Sequence, residues 1–292
     1  MSIMKRNLRI LAALLAAAAL TALSSCGVRP RGSESLPASA VSEETKTDQP
    51  YALFKASSEK IDALSFVDAD MSMKITMEVA DTTTNIDTSG KMKASMSDDK
   101  LVMRMDMTMN MFGQEVPMMT YYADGYTYSN SAGTKIKMKT SLEEAMANNS
   151  ASMIAFEEAA VLSAEADEKD GATIVTFALS GDQMKAELAD VLEDALSDSA
   201  LGTDIRFSDI RCEATINSEQ YITDYKLAFS MTGSMEMPDL SGNEETVASE
   251  VKAGFEITIR YNHPGQAGTV DEPEGLDTYT EIDEEGNPIA AA

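Results

Sequence analysis

The stretch VDADMSMKITMEV, residues 67–79, puts an apolar side chain at every odd position and a polar one, Asp, Ser, Lys, Thr or Glu, at every even position. Successive side chains of a strand point to opposite faces, so a period of two sustained this long makes a strand with one dry face and one wet face. The next segments repeat the pattern. Ile86, Gly90, Met92, Ala94 and Met96 alternate with Asp87, Ser89, Lys91, Lys93, Ser95 and Ser97. After a turn at Asp98-Asp99, Leu101, Met103, Met105, Met107, Met109 and Met111 alternate with Val102, Arg104, Asp106, Thr108 and Asn110. Asp124-Gly125 marks a tight hairpin between Val116–Ala123 and Tyr126–Asn130, and Ile136 and Met138 end a sixth strand.

Long strands that are dry on one side and joined by short turns form an antiparallel meander, whose dry face needs a covering layer. Three stretches read as helices. One runs from about Tyr51 to Leu64, with Phe54, Ile61 and Leu64 on one side. A second starts after Ser141 with the acidic first turn Leu142-Glu143-Glu144 and continues toward Ala160. The third follows Gly181, with Met184, Leu188, Val191, Leu192 and Ala195 at helical spacing. A hairpin, Leu162–Ala166 and Thr173–Leu179, turns at Asp170-Gly171 between the last two. Strands at Ile205–Ile216, Tyr221–Met231 and Val251–Tyr261 close the order, and Met237–Ser249, with Pro238, Gly242 and Glu244-Glu245, reads as a surface loop. The expected class is α+β, with about 11 antiparallel strands and about three helices.

The flanks differ in composition. Lys5, Arg6 and Arg9 precede an apolar run from Ile10 to Leu23, too short to span a bilayer but suited to the hydrophobic region of a signal peptide. Leu23-Ser24-Ser25-Cys26-Gly27 follows and resembles a bacterial lipobox. The resemblance implies diacylglycerol (palmitate-type acyl chains) on Cys26 and a membrane-anchored lipoprotein of the cell envelope, outside the cytoplasmic membrane. Cleavage before Cys26 would remove 25 residues and three positive charges, leaving 267 residues of net charge −29. Residues 26–49, rich in Ser, Pro, Glu and Thr, read as a flexible tether. Residues 263–292 carry eight acidic and no basic residues and read as a disordered acidic tail. The body is then 50–262.

Composition also excludes. With 49 Asp+Glu against 23 Lys+Arg and no basic stretch, the chain is repelled by phosphate backbones, so nucleic acid is not a partner. There is one His, His263, in the expected tail, and no G-x-S-x-G, H-E-x-x-H or P-loop string. Paired carboxylates such as Asp68 and Asp70 fall on the wet face of a strand. No catalytic or cofactor site, and no His- or carboxylate-based metal site, is therefore expected. Lipidation of Cys26 leaves Cys212 without an intramolecular partner, and its place in an apolar alternation makes it a small buried hydrophobe.

Behind a lipobox, the order helix, six strands, helix, hairpin, helix, three strands resembles the LolA/LolB-like superfamily. This group includes periplasmic lipoprotein carriers and the lipid-binding lipoproteins of the LppX and LprG type. Lipoproteins of Gram-positive bacteria share the layout. The resemblance covers about Pro50 to Asn262 and rests on element order and length. It implies a strongly curved antiparallel sheet, an unclosed half-barrel, with helices over its concave face and acyl chains held between.

Thirteen of the 21 methionines lie between Met71 and Met138. The resemblance makes Met71, Met73, Ile75, Met77, Met92, Met96, Met103, Met105, Met107, Met109 and Met111 the floor of a cavity for a lipid or lipoprotein acyl chain. Unbranched, polarizable thioethers suit such a surface. Two alternatives stay open. The same residues could fill a solid core, the protein then being an interaction or envelope-sensor module with a membrane-protein partner, as in LolA-related regulators of envelope stress. Met-x-Met strings also suit Cu(I), although same-face neighbours along a strand stand about 6.6–6.8 Å apart.

Overall fold

The computed structural model describes residues 48–289, except 80–81, 98–99, 112, 143, 146–159, 184–204, 239–245 and 284–285. Its frame is one unclosed, strongly curved sheet of 13 strands. The first six strands are β1 (Phe66–Val79), β2 (Thr82–Ser97), β3 (Lys100–Met111), β4 (Gln114–Ala123), β5 (Tyr126–Ser131) and β6 (Thr134–Lys139). They run as the expected meander. β7 (Val161–Lys169) and β8 (Ala172–Leu179) form the second hairpin. β9 (Arg206–Phe207), β10 (Ile210–Ile216), β11 (Ile222–Pro238), β12 (Thr246–Tyr261) and β13 (Thr280–Ile282) complete the set. Across the sheet the order is β13-β6-β5-β4-β3-β2-β1-β12-β11-β10-β8-β7, with β9 beside β11. The meander and the C-terminal strands therefore join where β1 meets β12, from Ala69 opposite Tyr261 to Val79 opposite Val251.

Three two-residue turns pin the register of their hairpins. Asp124-Gly125, Ala132-Gly133 and Asp170-Gly171 each hold both central residues at positive φ, the geometry whose twist matches the flanking strands. The Asp-Gly pairs announce themselves in sequence. Ala132 does not, and at φ 48° it is held by its glycine neighbour and by the Gly133 N–H donating to Asn130 Oδ1 at 3.2 Å.

Helix α1 (Asp48–Asp62) lies over β7, β8, β10 and β11. Tyr51, Phe54, Ser57, Ser58 and Ile61 form its buried stripe. The Phe54 ring stands 4.5 Å from that of Phe177 and 5.7 Å from that of Tyr225, and Tyr51 meets Phe177 edge-on at 5.4 Å. Burying one such ring contributes about 1.5–3 kcal/mol, and each aromatic pair adds about 0.5–1.5 kcal/mol.

The second and third expected helices begin where their caps place them. The Ser141 Oγ accepts from the Glu144 N–H at 3.2 Å, while Glu144 Oε2 accepts the Ser141 N–H at 2.8 Å, a reciprocal capping box. These hydrogen bonds hold the Glu144 carboxyl below the usual carboxylate range. The third starts at Gly181, with the Gln183 N–H donating to Ser180 Oγ. The rest of both expected segments, including Met184, Leu188, Val191, Leu192 and Ala195, lies outside the described residues.

Four expectations are corrected. The sheet has 13 strands rather than about 11. The run Ile205–Ile216 breaks at Ser208-Asp209 into β9 and β10, because Ser208 pairs its backbone and hydroxyl with Ser230 and lets the chain turn. Met237–Ser249 is not a loop throughout: β11 and β12 keep pairing as far as Pro238 opposite Thr246, so the ladder outlasts the apolar alternation. Nor is the C-terminal segment uniformly without structure. From Asn262 it crosses the outer face of the sheet, makes a short 3-10 turn at Leu276–Thr278 and adds β13 in parallel to β6. Its acidic composition hides two residues that bury, Pro273 and Tyr279.

Candidate functional site

The inner face is built in rows, because antiparallel register sets each apolar residue opposite another on the next strand. One row runs Tyr261, Ala69, Met92, Met105, Thr120. The next runs Tyr225, Ile259, Met71, Gly90, Met107, Met118, and the third Leu227, Ile257, Met73, Thr88, Met109, Val116. The fourth runs Phe229, Phe255, Ile75, Ile86, Met111. The sequence thus places all its candidate methionines on one face, as the alternation requires.

The rows do not form one uniform floor. Met92 and Met105, 1% and 6% exposed, face each other and pack in the cluster beneath α1, with Met71 and Met107 half-buried against it. Ile75 and Met77 belong to a second cluster with Ile86, Met231 and Phe255, flanked by half-buried Met73 and Met109. There the Phe229 and Phe255 rings stack 4.7 Å apart at 11°. Met103 belongs to a third, with Tyr122 and Ala145, where the second helix begins. Met96 is half-buried at the end of β2. Along β3, Met103 lies in the third cluster, Met105 and Met107 in or against the first, and Met109 against the second. Cys26 lies outside the described residues.

At Gly90 the strands β2 and β3 approach closely. A Cβ there would stand 2.5 Å from the Asp106 carbonyl oxygen and 2.9 Å from Met107 Cα, and the Met107 Cγ would be 2.8 Å away. Only glycine lets β2 and β3 approach in this way. Thr88 was not among the sequence candidates, yet it is buried on the same face next to Gly90. A polar residue inside an apolar parity is the one signal that could have found it.

A groove of about 620 Å³ crosses β1 to β4, lined by Asp70, Lys91, Asp106 and Met119 together with Met71 and Met107 of the inner rows, among others. Its charges are paired. Lys91 Nζ is 3.4 Å from Asp70, and the Arg104 Nε donates to Asp106 at 2.7 Å. The Asn262 side-chain N–H, followed by Lys91, holds the Asp70 carboxyl below its usual range. Asp68 and Asp70 are thus members of a solvated network. Among the described residues there is no group of His, Cys, Asp and Glu that could hold a metal ion.

Cys212 is buried, and desolvation pushes its thiol up to about 12 despite the Tyr225 hydroxyl donating to Sγ at 3.6 Å. Burial also raises the phenols of Tyr225 and Tyr261 well above the ordinary tyrosine range. These are packing residues with no reactive form near neutral pH. Among the described residues no helix is long and apolar enough to cross a membrane.

Fold and face together define an open antiparallel half-barrel with a methionine-rich inner face on β1 to β3 and α1 packed over β7, β8, β10 and β11. The chain belongs to the family of unknown function DUF6612, whose profile matches residues 50–262. No curated protein matches. Among solved structures it is similar to LprF from Mycobacterium bovis, at 9% identity and a TM-score of 0.42, over 79% of this chain and 99% of that one. It is also similar to the lipoprotein LppX of Mycobacterium tuberculosis, at 12% identity and 0.35, over 77% and 99%. A putative outer membrane lipoprotein-sorting protein domain from Vibrio parahaemolyticus gives 7% and 0.23, over 75% and 94%.

Proposed function

We propose that this chain is a lipid-anchored lipoprotein on the extracytoplasmic side of a bacterial membrane, tethered through Cys26, that binds or carries a lipid or similar hydrophobic ligand. The observation that carries the reading is the gradation along the methionine rows. Met92, Met103 and Met105 are fully packed, whereas Met71, Met73, Met107 and Met109 remain half-buried around Gly90. Flexible thioethers lining an incompletely filled apolar face can re-pack around an acyl chain. On this reading the packed set holds the sheet and the half-buried set meets the ligand, and the protein performs no covalent chemistry and needs no cofactor. The test is to purify the unlipidated mature chain and extract it for mass spectrometry. A stoichiometric amphiphile is expected; no bound amphiphile, together with no uptake of acylated fluorescent probes, overturns the proposal.

A second reading, a solid interaction or sensor module with a membrane-protein partner, draws on the close packing of Met92 with Met105 and of Met103 with Tyr122. It expects a co-purified membrane protein and an empty extract.

A further inference from the structure

An open sheet leaves two rims of unpaired N–H and C=O groups, each a template for another chain. At one rim β7 is blunted by Glu165, Asp167, Glu168 and Lys169, and a bulge between Val161 and Ser163 turns Leu162 outward. The other rim, β6, reads TKIKMK and is not left with its three lysines as its protection. The chain instead returns from β12 and lays β13 along it, with Thr280, Glu281 and Ile282 opposite Ile136, Lys137 and Met138.

The surface so covered is unusual for a chain of net charge −26. Lys135, Lys137 and Lys139 alternate along β6 beside Tyr126 and Tyr128 of β5, on the face that also carries Tyr121 and Arg104. The covering segment is its complement, with six acidic residues and no Lys or Arg from 263 to 283. Tyr279 is 6% exposed and meets Tyr128 edge-on at 5.5 Å. Lys137 pairs with Glu281 at 3.1 Å, Lys135 donates to the Thr278 hydroxyl at 3.3 Å, and Arg104 donates to the Asp271 carbonyl at 3.3 Å. The grip is nevertheless slight. Only three residues pair, and the ion pair is partly exposed, so salt screens it.

The geometry points to an interaction surface that is closed in cis: the β6 edge with Tyr128, Arg104 and Lys137 docks an acidic, tyrosine-bearing extended segment of a partner protein, and residues 263–283 occupy it as a competing copy of that ligand. Strand addition supplies the backbone hydrogen bonds, and the tyrosine and carboxylates supply selectivity. Because the tail is attached, its effective concentration is high and the surface stays shut until a competitor accumulates.

The test uses full-length chains and an N-terminally fluorescein-labelled synthetic peptide of residues 270–289. Loosening the chain's own tail with Tyr279→Ser and Glu281→Lys should raise peptide affinity at least tenfold over wild type, read by anisotropy. Adding Lys137→Glu to that variant should return it to the wild-type level. Equal affinity for wild type and loosened chain, indifference to Lys137→Glu, or equal binding of a scrambled peptide overturns the proposal. So does self-association of the loosened chain through exchanged tails, since the occupant would then be a second copy. Hydrogen exchange on the wild-type chain is independent of any variant. The amides bridging β6 and β13 should open well before those between β2 and β3, and exchange of both only by global unfolding refutes a displaceable strap.

Discussion

Replacing Met105 and, separately, Met107 by Phe probes two adjacent same-face positions of β3 with opposite expected results. Met105 is 6% exposed, stands opposite the fully buried Met92 and packs in the cluster beneath α1. A phenyl ring there has no space to enter, and overpacking a filled site costs about 1–3 kcal/mol. For a body of this size, each kcal/mol lowers Tm by about 2–4 °C, so M105F should melt roughly 2–12 °C below wild type with ligand uptake little changed. Met107 is half-buried and its Cγ lies over Gly90, which contributes no side chain. A ring at this half-buried position can turn toward its open side, so M107F should cost under about 1.5 kcal/mol, as a tolerated swap does. Its effect should fall on ligand capacity, with uptake of a fluorescent acyl probe reduced severalfold. Thermal melts and probe titrations of both variants decide the matter. Equal destabilisation with unchanged uptake would refute the division into packed and ligand-facing methionines.

Gly90→Ala sets a Cβ against the Asp106 carbonyl oxygen and the Met107 backbone, atoms that cannot swing aside. The β2–β3 ladder must spread, and urea unfolding should show a loss of about 2 kcal/mol or more. Phe54→Ala empties the three-ring contact under α1 and should cost about 3–5 kcal/mol in the same assay. Cys212, Tyr225 and Tyr261 all have acid forms favoured by the fold, so the folded chain keeps protons that the unfolded chain has released. Stability should therefore be full below about pH 9 and fall above it, by about 1.4 kcal/mol per pH unit for each group in its window. Melting temperatures between pH 8 and 11 test this; a flat profile contradicts it, and Cys212→Ala should shallow the decline between pH 9 and 10.

The strands were legible because a half-buried strand writes its two faces into alternate residues, and the Asp-Gly turns because they tolerate positive φ. The same rule explains what was missed. Past Met231 the continuing β11–β12 pairing is carried by backbone hydrogen bonds, to which the polar, Pro- and Gly-bearing composition of residues 237–249 gives no clue. In the C-terminal segment, charge masked the short extended stretch Tyr279 to Ile282, where a buried ring and a half-buried Ile282 are the only apolar signal. For the candidate site, parity placed the methionines on one face, but their division among three clusters depends on cross-strand register. Met103 sits opposite Tyr122, Met105 opposite Thr120 and Met109 opposite Val116, which no single strand reveals.

The chain has no tryptophan, so one introduced at Met107 is a clean reporter of the inner face. Titrating M107W with a fatty acid brominated along its acyl chain should quench the emission saturably at about one equivalent, while the control L162W, at an exposed position of β7, should not respond. Emission from M107W that stays unquenched in a chain that melts normally would contradict acyl binding in the methionine concavity.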